Sequence, residues 1–221
     1  MSDQRPFAGR FVVLEGIDGC GSTTQCARLV EALRARGRDA RGTCEPSRGP
    51  VGALIRAALE RRLPADEAGA PRSLRWSALA LLFSADRLDH LDSVVLPALA
   101  AGAVVVSDRF DLSSLAYQSA TAPAARDVLP WIRELNREAL RPDLTIVLDI
   151  PADAAEQRRK ARGGAEELFE ARALQERLAA IYARAEQLVP GDRLVHVSAL
   201  GSPEQVTAQL LSAVLAACPE L

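Results

Sequence analysis

Lysine is nearly missing from this 221-residue chain: Lys160 is the only one, and every other basic residue is arginine. No apolar run reaches the roughly 18–20 residues of a membrane span, so no spanning segment is expected. The first residues, Met1 to Arg5, lack the apolar stretch of a secretory signal. Four cysteines, Cys20, Cys26, Cys44 and Cys218, are scattered without metal-ligand spacing. The expectation is therefore a cytoplasmic protein with reduced thiols. A net charge of −2 and a pI near 5.8 give no field that would gather a polyanion, which argues against nucleic acid as a general partner.

What is present is ample apolar material, 48% of residues, enough for one sizeable core and short for two. One domain over 1–221 is expected. Strand-like runs at 10–15, 39–44, 103–107, 143–150 and 193–197 alternate with helical stretches near 22–36, 51–62, 72–101, 112–121, 124–139, 152–162, 166–189 and 203–217. That alternation predicts an α/β fold with an open, mostly parallel five-stranded sheet covered by helices on both faces. Such sheets bind ligands at the C-terminal ends of their strands. Four of the five ends carry polar punctuation: Glu15, Glu45-Pro46-Ser47-Arg48, Asp108-Arg109 and Asp149. Pro64 to Pro71 reads as a surface loop between helices, and Gly163-Gly164 as a second weak point.

Between the first strand and the first helix the chain runs Gly16-Ile17-Asp18-Gly19-Cys20-Gly21-Ser22-Thr23-Thr24. Glycines at 16, 19 and 21 let the backbone curl until successive N–H groups face phosphate oxygens, and the helix N-terminus adds partial positive charge. This is a P-loop in the right context, with Ser22 and Thr24 beside Thr23, whose hydroxyl is placed for a phosphate-bound Mg²⁺. One position departs from the pattern. The place between the last glycine and the Ser/Thr pair usually holds lysine, and Ser22 carries no charge.

Other constellations gain meaning from that loop. Asp108-Arg109 follows an apolar strand directly; alone it would close the strand as an ion pair, but beside a P-loop it suits Mg²⁺ and phosphate. Ser114, Tyr117 and Gln118 share a helical face, suited to a sugar and a base edge or equally to a packed tyrosine. Phe83 and Arg87 lie four apart, with His90 a turn further; ring and guanidinium could hold a base, though a lone Phe in an apolar helix is more often core. Arg158, Arg159, Lys160 and Arg162 form a charge run that is either a solvated face or a source of positive charge for a transferring phosphoryl group. His196, in an apolar strand with no acidic cluster near it in sequence, reads as a core or edge residue.

Five blocks in order, Leu14 to Gln25, Glu45-Pro46, Leu81 to Arg87, Ser107 to Gln118 and Arg141 to Asp149, resemble the thymidylate kinases over almost the whole chain. The resemblance implies transfer of the γ-phosphoryl of ATP to dTMP with Mg²⁺, in a homodimer. It implies that Asp18 contacts the acceptor sugar, Phe83 stacks on thymine, Arg87 binds its carbonyl edge and Tyr117 sits against the deoxyribose. Asp108 and Arg109 would organise Mg²⁺ and the acceptor phosphate, and Arg158 to Arg162 would open a mobile lid over about 158–170. Three departures stand out: Ser22, Cys44 before Glu45-Pro46, and Ser47-Arg48-Gly49, where Arg48 would restore a phosphate contact. The lid also lacks the usual Asp-Arg pair, reading Glu166-Glu167-Leu168-Phe169-Glu170. The alternative expectation is a catalytically weak or dead relative that binds nucleotide and serves as a sensor or partner-binding module.

Overall fold

Val12 to Leu14, Val104 to Val106 and Leu144 to Leu148 are unbroken apolar runs, the pattern of strands buried on both faces. In the computed structural model, which describes residues 7–221 apart from 66, 68, 71, 125, 126, 164–168, 170 and the Arg162 side chain, they form the centre of a parallel sheet. Its strands are β1 (Arg10–Glu15), β2 (Ala40–Cys44), β3 (Val104–Asp108), β4 (Leu144–Asp149) and β5 (Leu194–Ser198). Their order is β2-β3-β1-β4-β5, every pairing parallel, with Val12 opposite Val106 on one side and Leu144 on the other. The predicted architecture, a P-loop NTPase-like α/β sheet of five parallel strands, is the one found.

Side chains alternate across the sheet and so divide the core. Val12, Leu14, Val104 and Val106 pack with Leu29, Val30 and Leu33 of α1 (Ser22–Ala35). Phe11, Val13 and Val105 pack on the opposite face with Leu91, Val95 and Leu99. The chain after β1 travels out to the β2 edge, whereas the chain after β3 crosses to β4. The loops leaving the adjacent ends of β1 and β3 therefore part, opening a crevice above the sheet's centre.

The remaining helices are α2 (Pro50–Leu59), α3 (Trp76–His90), α4 (Leu96–Ala100), α5 (Asp111–Thr121), α6 (Leu129–Leu135), α7 (Ala152–Arg162), α8 (Arg172–Tyr182) and α9 (Pro203–Ala217). A single helix over 72–101 is not what forms. Residues 72–75 are outside it, and a π-helical turn at Leu91–Val95 separates α3 from α4, with the Leu96 N–H bonding to the Leu91 carbonyl. Pro97 explains the widening: it has no N–H to donate and its ring would crowd the carbonyl of residue 93. Among the described residues of the stretch predicted over 124–139 the helix is α6, with Pro130 in its first turn. That predicted over 166–189 contains α8 and a short 3₁₀ turn at Ala185–Gln187. Ser202 caps α9 and accepts from the Gln205 N–H, while Gln205 accepts from the Ser202 N–H. Among the described residues no helix is long and apolar enough to cross a membrane.

Candidate active site

All three loop glycines after β1 have positive φ, at 152°, 90° and 94° for Gly16, Gly19 and Gly21. At Gly19 space matters as much as angle, since a Cβ there would stand 2.5 Å from the Ala155 carbonyl oxygen. Helix α7 thus lies directly over the loop. From it Arg159 donates to the Asp18 carbonyl at 2.5 Å, and Arg158 donates to the carbonyls of Cys20 (3.2 Å) and Ala199 (2.7 Å). Beneath these two guanidinium groups is a cavity of about 540 Å³ lined by Gly19, Gly21, Ser22, Thr23, Thr24 and Asp108, together with Asp18 and Arg109.

The Thr23 hydroxyl donates to Asp108 Oδ2 at 2.5 Å, while the other oxygen, Oδ1, is buried with no hydrogen-bond partner among the described residues. A buried carboxylate oxygen left open beside a hydroxyl is the hard-oxygen donor set that Mg²⁺ and its waters take. Thr23 and Asp108 therefore fit the metal. Of the basic run, Arg158, which was expected, and Arg159 line this cavity. Lys160 is 74% exposed and paired with Glu156 at 2.6 Å, outside the cavity lining; Arg159, its neighbour, is buried in it. Arg162 has no described side chain, and residues 164–168 and 170 of the expected lid lie outside the described residues.

A second cavity, about 140 Å³, opens on the other side of Asp18 and Arg109 and is lined by Phe83, Arg87, Ser114, Tyr117 and Gln118. All seven of these expected acceptor residues therefore meet in one place. Arg48 does not join them: it is exposed and outside the lining. Arg87, only 1% exposed, donates to Glu45 at 2.6 Å, to Ser114 at 3.2 Å and to Asn136, and its guanidinium lies 5.0 Å from the Phe110 ring. Its Nε, the Tyr117 hydroxyl and the Gln118 Oε1 are buried without partners among the described residues. Three orphaned polar atoms around one cavity are an invitation to a polar ligand, since each costs desolvation until it is met.

Arg109 links the two cavities. It has a left-handed backbone, φ 73°, and its guanidinium donates to the Gly16 carbonyl (2.8 Å), Ser113 (3.2 Å) and Asp18 Oδ1 (2.6 Å), with the Tyr117 ring 5.2 Å away. Several partners had no sequence signal of their own. Gln175 of α8, fully buried, donates to Asp18 Oδ2 at 2.9 Å and to the Phe169 carbonyl at 2.7 Å, and accepts from the Asp18 N–H. Phe169 lies 5.4 Å from the Tyr117 ring and closes one wall of the smaller cavity. His196 lies on the edge strand β5, as expected, where Asp149 and Glu186 flank it at 2.9 and 3.1 Å. The cysteines carry no disulfide, and burial pushes the Cys26 thiol up to about 12.

A phosphate loop roofed by arginines, separated by one shared cation from a cavity lined by aromatic and polar side chains, places the protein among the P-loop nucleoside monophosphate kinases. The thymidylate kinase family profile matches residues 14–210. The chain is similar to a probable thymidylate kinase of Pyrococcus abyssi, 39% identical over 93% of this chain and 96% of that one. It is likewise similar to thymidylate kinases of Gluconobacter oxydans, 39% identical over 93% and 94%, and of a Jannaschia species, 44% identical over 72% and 73%. The chain belongs to the thymidylate kinase family.

Proposed function

We propose that this protein transfers the γ-phosphoryl group of ATP to dTMP, giving dTDP and ADP. The observation that carries this reading is the pair of cavities sharing Asp18 and Arg109 as a common wall. Such a wall brings two phosphate chains end to end. An acceptor phosphate oxygen then forms a bond to the γ-phosphorus as the bond to the ADP oxygen breaks. That reaction asks the protein mainly for alignment and charge neutralisation. In the smaller cavity Phe83 stacks the base, Arg87, braced by Glu45, donates to its carbonyl edge, and Tyr117 faces the sugar. Arg109 holds the acceptor phosphate. On the donor side the loop N–H groups and the hydroxyls of Ser22, Thr23 and Thr24 take the ATP phosphates, with Arg158 and Arg159 supplying the positive charge that Ser22 lacks. Thr23 and Asp108 would hold Mg²⁺, which when bound neutralises phosphate charge.

This reading includes a cytoplasmic homodimer of one-domain subunits. Leu54 on α2 and Leu81 and Leu88 on α3 are exposed on helices that pack together, an apolar surface suited to a second copy. A coupled assay with Mg·ATP and dTMP tests the activity. Calorimetry should show dTMP bound much more tightly than dCMP or dAMP. Equal affinity for all three would remove the thymine assignment, and binding without transfer would favour the nucleotide-binding role.

A further inference from the structure

Glu15 ends β1 with no exposed surface, yet it takes no part in either cavity lining. Its Oε1 accepts from the backbone N–H groups of Phe110 (2.9 Å) and Ser113 (3.1 Å), and its Oε2 accepts from the Ser113 hydroxyl (2.6 Å) and the Tyr182 hydroxyl (3.0 Å). A carboxylate with four converging donors spanning a strand, a turn and two helices is doing more than filling the core. The N–H groups it holds belong to the first turn of α5 and the residue before it. They follow directly on Arg109, whose left-handed backbone is a conformation that L-residues keep only where surrounding contacts impose it. On the other side of that residue, the Arg109 N–H is fixed to the Leu14 carbonyl at 2.8 Å. Residues 14 and 15 of β1 therefore grip the Arg109 turn from both ends.

We propose that Glu15 is a positioning residue for phosphoryl acceptance: it clamps the turn after β3 so that the Arg109 guanidinium stands across from the phosphate loop, and through Tyr182 it ties this turn to α8. The clamp works best with Glu15 ionised, because an ionised carboxylate accepts all four hydrogen bonds whereas a protonated one must donate through one oxygen. Burial raises its pKa to about 7 against the lowering effect of Arg109, Ser113, Phe110 and Tyr182. The charged and titratable groups around it are Arg109 in the turn and Tyr182 on α8, with Asp18 and Cys20 of the loop and Tyr117 of α5 around Arg109.

This inference rests on the acceptor assignment made above, and the test separates the two. Titration of the wild-type protein with dTMP comes first; no binding there removes the acceptor assignment itself. Given binding, Glu15→Gln keeps the shape and loses the charge. We expect it to lower kcat/KM for dTMP by about tenfold or more, the scale of losing charge-assisted hydrogen bonds, while leaving KM for Mg·ATP nearly unchanged. It should also flatten the rise of activity between pH 6 and 8 relative to wild type; the substrate's own phosphate ionisation is common to both proteins. Equal losses toward both substrates with an unshifted pH profile would overturn the proposal. Should Glu15→Gln fail to fold, Tyr182→Phe, which removes one donor of the four, decides: a several-fold loss specific to dTMP supports the clamp, and no change defeats it.

Discussion

Ser22 is buried in the wall of the larger cavity, its hydroxyl in place of the ammonium that the loop pattern calls for. Removing one preorganised charge donor from a transfer site costs roughly 10²–10³ in rate by analogy with oxyanion-stabilising groups. Turnover below the roughly 1–100 s⁻¹ of typical kinases is therefore expected, with Ser22→Lys raising it by about tenfold or more. Steady-state kinetics of the two proteins side by side measure this. If lysine gains nothing, the arginines of α7 already occupy the phosphate site. Arg87 presents the opposite case, a charge that is present but deeply enclosed. Its ion pair with Glu45 at 2.6 Å exists because a guanidinium with 1% exposure needs a counter-charge before it can serve a ligand.

At the level of elements, helix α7 shows how a charge run is sorted by phase. Each residue advances a helix by about 100°, so neighbours in a basic cluster face different surroundings. Arg158 and Arg159 turn onto the phosphate loop, and Lys160 turns out to Glu156. Arg159→Ala should accordingly reduce kcat by about 10²-fold with a small change in dTMP affinity, because the group meets phosphates mainly near the transition state. Lys160→Ala should change turnover far less, and comparable losses in both would restore the lysine to the chemistry. The cluster was legible in the sequence; which member faces inward was not, since the choice depends on how α7 seats against Gly19. The same limit applies to Gln175 and Asn136, single polar residues whose partners lie 157 and 49 positions away. By contrast the five strands, the glycine loop and the Phe83-Arg87 and Ser114-Tyr117-Gln118 faces follow local periodicity and were visible directly. Pro97 was equally visible, but a proline after several helical turns can end a helix or widen it, and the sequence does not decide between them.

For the molecule as a whole, the central strand decides more than the sheet. β1 is paired on both sides and buried along its apolar length; the loop beyond it supplies Asp18 to both cavities, while Glu15 and the Gly16 carbonyl hold the turn that carries Arg109. Folding cooperativity and ligand recognition are consequently the same property here. An opening that frees β1 would disturb both cavities at once, since Asp18 and Arg109 line each. Amide exchange at Val12, Val13 and Leu14 should then proceed only through global unfolding. Either ligand alone, at a hundredfold excess over its Kd, should slow that exchange by the equivalent of about 2.7 kcal/mol. A protection gain with dTMP confined to α5 would show instead that the acceptor side opens as an independent unit. If each cavity takes a nucleotide as proposed, occupancy of one would insure the integrity of the other, and the enzyme would wait for its second substrate in a more durable state than it waits for its first.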